Sequence, residues 1–199
     1  MEKRKENKLI IIIGLLFFLI GIGTLIYDFK DDFIVKYNNK KAIKEYYKKE
    51  IKKDNNKNEI TPDYDIRMYQ FIALLKIPEI NLEKGIVEKN SIYNNVEYGI
   101  ELMKESDYPD KVNGDFILAS HNGNSTVSYF KNLYKLKIGD DAFVDYNNVT
   151  YKYKYVYSYD IPKTGEALIK TSNDKTNLVL ITCKGNTNYQ TVYIFELVK

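Results

Sequence analysis

Apolar and polar positions change rhythm three times along this chain. From Leu9 to Tyr27 no charged residue interrupts the run Leu-Ile-Ile-Ile-Ile-Gly-Leu-Leu-Phe-Phe-Leu-Ile-Gly-Ile-Gly-Thr-Leu-Ile-Tyr. A helix of that length matches the ~20 apolar residues a bilayer core requires. From Asp28 to Met68 the chain is charged and Asn-rich, with Lys48-Lys49-Glu50 and Lys52-Lys53-Asp54-Asn55-Asn56-Lys57-Asn58 as its densest stretches. Ala42, Ile43, Tyr46, Tyr47 and Ile51 make a weak apolar stripe at helical spacing, and Thr61-Pro62-Asp63 reads as a break. Beyond residue 68 the rhythm becomes that of strands. Gln70–Ile77 is an apolar run, and Pro78 forces a bend after Ile77. Ile86-Val87 continues as strand, and Asp115–Ser120 is a buried strand launched from Asn113-Gly114. Apolar residues at helical spacing follow in Thr126–Tyr134. Ala142–Tyr146 and Thr150–Tyr159 flank Asn147-Asn148, a hairpin signal. Tyr151, Tyr153, Tyr155, Tyr157 and Tyr159 alternate with Lys152 and Lys154, which predicts one tyrosine face along that strand. Asn177–Thr182 and Thr191–Val198 complete the set.

These elements predict a mainly β domain over residues 69–199: a closed or nearly closed β-barrel of seven or eight strands with one or two short helices. Ahead of it lie a cytoplasmic tail (1–8), a transmembrane signal anchor (9–27) and a charged, partly helical stalk (28–68). The alternative for the stalk is a helix packed on the domain. Lys3, Arg4, Lys5 and Lys8 precede the apolar run, whereas Asp28, Asp31 and Asp32 follow it. Positive flanks stay cytoplasmic, so the domain is expected outside the cell membrane on a single-pass anchor. A cleaved signal peptide has a shorter apolar region and a small-residue exit; here Gly21-Ile22-Gly23 lies inside the run.

Composition narrows the chemistry. The chain carries 19 Tyr and no Trp, which suits strands with one wet face. Its net charge is +3, with Lys spread among Asp and Glu, so no nucleic-acid face is expected. There is one cysteine, Cys183, and one histidine, His121. A lone thiol excludes an internal disulfide, and the Cys/His zinc site that needs about four ligands is excluded too. The thiol is then either a small buried hydrophobe or a reactive group. No cofactor is expected; weak Ca²⁺ binding by an acidic loop stays open. Strand Phe116–Ser120 leads into His121, and strand Leu178–Thr182 leads into Cys183. Rigid strands are good mounts for catalytic groups. An imidazolium beside a thiol favours the thiolate, the minimal pair for acyl transfer at a peptide carbonyl.

Four segments, in order, make a family resemblance specific. Ala73-Leu-Leu-Lys-Ile-Pro-Glu-Ile-Asn-Leu82 resembles the opening x-L-x-I-P-x-I-x-L strands of sortases. Asn113-Gly-Asp-Phe-Ile-Leu-Ala-Ser-His-Asn122 resembles their histidine strand. Phe130-Lys-Asn-Leu133 and Leu136-Lys-Ile-Gly-Asp140 resemble their F-x-x-L and L-x-x-G-D segments. Val179-Leu-Ile-Thr-Cys183 matches their T-L-x-T-C signature except at its first position. The resemblance implies an eight-stranded barrel on the outer face of a Gram-positive membrane. It implies a cysteine transpeptidase that cuts an LPxTG-like sorting signal between Thr and Gly. Cys183 would hold a thioacyl intermediate, His121 would serve as acid and base, and Thr182 and Ala119 would line the substrate groove. The partners it implies are surface proteins with a C-terminal sorting signal and a peptidoglycan-precursor amine.

One departure stands out. The family carries an Arg at the start of the strand after the cysteine, and this chain has only Arg4 and Arg67. Gln190 falls at that position, and Lys184 is the nearest cation in sequence. Gln brings hydrogen bonds without charge, and charge-assisted bonds are roughly twice as strong. The rival reading is therefore a catalytically impaired, membrane-tethered peptide-binding module. Ile161-Pro-Lys-Thr-Gly165 itself looks like a sorting signal, although a turn between strands explains it more simply. No Asp-Pro-aromatic lid motif precedes the barrel, which favours wall anchoring over pilin polymerisation.

Overall fold

The computed structural model describes residues 2–51 and 69–198, without the side chains of 2–13, 25–29, 31–32 and 49–51. The chain divides into two compact units, Met1–Asn38 and Asn39–Lys199. In the first, the described backbone is helical, as the opening part of helix α1 (Glu2–Ile51), and Leu15 to Ile20 are exposed. Among the described residues no helix is long and apolar enough to cross a membrane. The expected span 9–27 lies partly outside the residues whose side chains are described, and stalk residues 52–68 lie wholly outside the described residues.

The second unit is built on one eight-stranded sheet. Its strands are β1 (Phe71–Ile77), β2 (Leu82–Val87), β3 (Glu101–Leu102), β4 (Asp115–Ala119), β5 (Asp141–Tyr146), β6 (Val149–Pro162), β7 (Asn177–Cys183) and β8 (Tyr189–Leu197). The order across the sheet is β2-β1-β5-β6-β8-β7-β4-β3, and the edge strands β2 and β3 approach each other, so the barrel is nearly closed. Every pair is antiparallel except β4 with β7, which run parallel. Two short 3-10 helices, Pro78–Ile80 and Leu133–Lys135, lie between strands of this region. Pro78 opens the first, and Asn81 closes it in the left-handed region at φ 52°.

Most expected strands are found. The Asn147-Asn148 turn has both residues at positive φ, 50° and 65°, as the tightest hairpins with right-handed twist require. Two features differ from the expectation. Residues 126–132 form turns instead of a helix. Ser125, Thr126, Ser128 and Asn132 interrupt the apolar spacing, and such side chains offer the backbone competing partners; Ser125 and Ser128 bond to each other at 2.8 Å. The tyrosines of β6 are divided between two faces. Between Tyr155 and Tyr157 the ladder shifts register, with Tyr155 opposite Phe195 and Tyr157 opposite the adjacent Ile194. That extra residue is a β-bulge, and it moves every later side chain to the other face.

The bulge separates two cores. Inside the barrel, Leu75, Ile77, Phe116, Leu118, Phe130, Leu133, Tyr153, Tyr155, Leu180 and Phe195 pack together. On the opposite face of β4, β7 and β8, a smaller cluster joins Ile117, Ile161, Val179, Ile181, Val192 and Ile194. The last turns of α1 cover β1 and β5: Ala42 and Ile43 are buried, and Tyr46 Oη donates to the carbonyls of Ile72 (3.3 Å) and Asp145 (3.2 Å). Asp145 accepts from Tyr47 Oη at 3.0 Å and from Thr150 at 2.6 Å, and pairs with Lys76 at 2.7 Å. Burial alone would raise the Asp145 carboxyl; the Lys76 ammonium and these hydroxyls outweigh it and hold it below its ordinary value.

Tyr153 is fully buried, and among the described residues its hydroxyl has no hydrogen-bond partner. An unsatisfied buried polar group costs about 1–3 kcal/mol. Tyr153→Phe is expected to leave the urea m-value unchanged and raise stability by roughly 1 kcal/mol. A clear loss of stability would show that this hydroxyl is bonded in solution.

Candidate active site

Cys183 and His121 come from strands far apart in sequence that lie side by side in the sheet. In the parallel ladder, Asp115 faces Asn177 and Ala119 faces Ile181. Continued two residues on each side, that register places His121 level with Cys183. Three bonds carry the pairing past the ladder's end: the Ser120 amide donates to the Ile181 carbonyl (3.2 Å), Thr182 Oγ1 to the Ser120 carbonyl (2.8 Å), and Asn122 Nδ2 to the Cys183 carbonyl (2.8 Å). At the strand beginnings, Asn177, 1% exposed, donates to Asp115 Oδ1 at 2.8 Å, and its own amide donates to the Gly114 carbonyl. The pair is therefore pinned at both ends.

The His121 ring is partly exposed, and among the described residues its hydrogen-bonding partner is Glu97, with Nε2 to Oε1 at 3.2 Å. Glu97 lies on the turn-rich segment 88–100, which sequence pattern left without any element. Asn94 anchors that segment by donating to the Leu102 carbonyl (2.8 Å) and accepting from the Leu102 amide (2.7 Å). Cys183 is a free thiol of intermediate exposure.

Gln190 sits directly across the antiparallel ladder from Cys183, and Ile161 flanks it on the other side. Facing residues in such a ladder project to the same side with Cβ atoms ~5 Å apart, so the amide and the thiol share one face. Lys184 is elsewhere engaged: its ammonium pairs with Asp160, which also accepts from Thr191 Oγ1 at 2.8 Å. That ammonium, and then the Thr191 hydroxyl, hold the Asp160 carboxyl below its ordinary value despite some desolvation. Thr182 is 3% exposed and faces the barrel interior side, with its hydroxyl spent on Ser120. Ala119 is half-buried against the second core. Ile161-Pro-Lys-Thr-Gly165 is not a free peptide: Ile161 is buried, Ile161 and Pro162 pair with Gln190 and Tyr189, and the Lys163 amide donates to Asn188.

A groove of about 330 Å³ runs over the second core, floored by Ile117 and Ile181 and walled by Met103, Ala167 and Ile169. Its apolar floor follows from the alternation in β4 and β7, whose other residues enter the barrel. Glu105 and Glu166 stand at its border. Among the described residues, no group of three or more His, Cys, Asp or Glu side chains is gathered to hold a metal.

The fold is a nearly closed barrel whose one parallel strand pair leads into one thiol and one imidazole. Residues 75–197 match the sortase domain family. The chain belongs to the sortase family. Solved structures share the fold. Sortase A from Corynebacterium diphtheriae, a lid mutant, is 21% identical, covering 64% of this chain and 70% of that one with a TM-score of 0.57. Sortase C from Clostridium perfringens SM101 is 22% identical, covering 63% and 68% with a TM-score of 0.53. A Clostridium perfringens sortase D5 transpeptidase is 19% identical, covering 78% and 89% with a TM-score of 0.56. No curated protein matches the sequence.

The Thr182 strut makes a direct prediction. Thr182→Val keeps the shape but leaves the Ser120 carbonyl buried without its donor, a loss of about 1–3 kcal/mol. Denaturant unfolding should register that loss; an unchanged midpoint would remove Thr182 from the pinning of the two strands.

Proposed function

We propose that this protein is a membrane-anchored cysteine transpeptidase acting on an extended peptide that resembles an LPxTG sorting signal. The observation that carries the reading is the in-register parallel pairing of β4 with β7, which brings the ends bearing His121 and Cys183 together. In the first half-reaction the Cys183 thiolate attacks the Thr carbonyl, the Thr–Gly amide bond breaks, and His121 gives its proton to the leaving amine. In the second, an amine attacks the thioacyl carbonyl, His121 takes the proton released, and the thiolate departs. The apolar groove above Ile117 and Ile181 suits the aliphatic residue and proline of such a signal.

Gln190 takes the place of the family Arg on the thiol's face and supplies an uncharged donor to the substrate carbonyl. Glu97 acts through His121: by accepting from Nε2 it fixes the orientation of the ring that the first half-reaction uses. Leu9–Tyr27 holds the domain at the outer face of a Gram-positive membrane, consistent with the exposure of Leu15 to Ile20. Surface proteins with a C-terminal sorting signal are the donors, and a cell-wall precursor amine is the acceptor. No cofactor takes part.

A second reading is favoured by one feature: no arginine stands among residues 69–198, and the Lys184 ammonium is already paired with Asp160. On that reading the domain binds sorting peptides and turns them over poorly. One assay separates the two. The full-length protein is incubated with a panel of quenched sorting pentapeptides and an amine. Transfer abolished by Cys183→Ala supports the enzyme; Gln190→Ala should lower kcat by about 10²-fold, the scale of a lost oxyanion donor. Glu97→Gln should lower kcat by roughly 10-fold with KM unchanged, and Glu97→Asp should restore part of it. Peptide binding without turnover would establish the binding module instead.

A further inference from the structure

One charge lies inside the barrel where the strand pattern calls for an apolar side chain. Along β2, Leu82, Lys84 and Ile86 share the inward face, and Lys84 stands opposite the fully buried Leu75. Lys84 is itself 5% exposed. Among the described residues no carboxylate pairs with its ammonium, and burial alone brings its pKa down to about 8. The cavity beside it, between Phe71, Tyr93, Tyr98 and Ile100, measures about 10 Å³, room for one water at most. Its other neighbour is an aromatic face: the ammonium stands 4.6 Å from the centroid of the Tyr129 ring. A buried charge without a counter-ion costs stability, and an unbranched apolar side chain would fill the same space without that cost. Residues that break the local pattern with no gain in stability mark functional sites.

The position of the side chain relates it to His121. Its Cε lies beside Gly99, 3.6 Å from where a Cβ would stand. Ser120 Oγ donates to the Gly99 carbonyl at 3.0 Å and lies 3.3 Å from the Val127 carbonyl. The amide of Phe130, next to Tyr129, donates to the His121 carbonyl at 3.3 Å. Glu97, whose carboxylate contacts the His121 ring, is two residues before Gly99. Two turn segments, 97–100 and 127–130, therefore close on the backbone of Ser120 and His121, and both rest on Lys84.

We propose that Lys84 is a positioning residue for His121: its ammonium, held on the Tyr129 ring, braces the two turns that set the imidazole. A cation over an aromatic face is a strong contact in a desolvated site, and it fixes Tyr129 relative to β2. Methionine would fill the volume but adapt its shape, and so would fix the turn less well. The inference rests on the transfer reading for the role of His121, but the placing of the ring can be read without any turnover.

Lys84→Met in the full-length protein separates this role from a purely structural one. Urea unfolding should give a midpoint equal to or above that of the native protein, because the buried charge is gone. The ring carbon and nitrogen shifts of His121, followed by NMR at neutral pH, should nevertheless leave their native values. With the sorting-pentapeptide panel, kcat should fall about 10-fold at unchanged KM, a fraction of what aligned general acid–base catalysis supplies. Tyr129→Leu removes the other half of the contact and serves the same test if Lys84→Met does not fold. The double variant should lose no more activity than either single one, as residues acting through one contact do. Native His121 shifts in Lys84→Met would overturn the proposal, and so would a lowered midpoint with kcat unchanged, which would make Lys84 a packing residue only. If the native protein transfers no peptide and the His121 shifts still respond to Lys84→Met, the transfer reading fails and Lys84 still places the ring. Transfer by the native protein with unresponsive shifts sinks this proposal alone.

Discussion

The parallel pairing of β4 with β7 is the constraint on which the rest of this structure depends. In an otherwise antiparallel sheet it is the exception, and it is the arrangement that lets two strands end on the same side. Antiparallel neighbours would carry His121 and Cys183 to opposite ends of the barrel. The pair is held by side-chain polar bonds, buried or part-buried, as well as by its ladder: Asn177 on Asp115 at one end, Thr182 on Ser120 and Asn122 on the Cys183 carbonyl at the other. Buried hydrogen bonds of this kind specify register, because a slip by one residue would leave each donor and acceptor without its partner and would turn every side chain to the wrong face.

The same alternation decides what reaches the site. Along β7, residues of one parity enter the barrel core and residues of the other floor the groove, so a single strand supplies both the scaffold and the groove floor. The bulge in β6 makes this division possible on the neighbouring side. Before it, Tyr153 and Tyr155 pack inward. After it, Tyr157, Tyr159 and Ile161 join the outer face, and Ser158 and Asp160 turn to the barrel mouth. Without that one extra residue, polar groups would lie against the outer cluster and tyrosines would fill the mouth.

Much of this was legible in the sequence because strands with one buried face write their period directly into the chain. β4, β5, β7 and β8 follow from apolar runs and turn residues, and the Asn147-Asn148 hairpin follows from the positive φ that asparagine tolerates. The sole histidine and sole cysteine at the ends of two such runs pointed to the site. Their adjacency was not legible by pattern, since about sixty residues and two further strands separate β4 from β7, and strand periodicity says nothing about partners. The β6 bulge escaped for a related reason: a run of alternating tyrosines and polar residues looks the same with or without a register shift, which is set by the facing strand. Glu97 escaped because it sits in turns held by Asn94 side-chain bonds, a feature with no periodic signature. The two-residue strand β3 is too short to carry a period at all.

No arginine stands among residues 69–198, the His121 ring contacts Glu97, and the Lys184 ammonium is paired with Asp160. The account therefore stands on cooperation between one imidazole and one thiol across a parallel strand pair. Its most direct measurement is the rate at which iodoacetamide alkylates Cys183 at neutral pH in the full-length protein, compared with the His121→Ala variant. If the two groups cooperate, the native protein reacts at least ~10-fold faster than the variant, as a thiolate favoured by a neighbouring imidazolium should. Equal rates in the two proteins would contradict it.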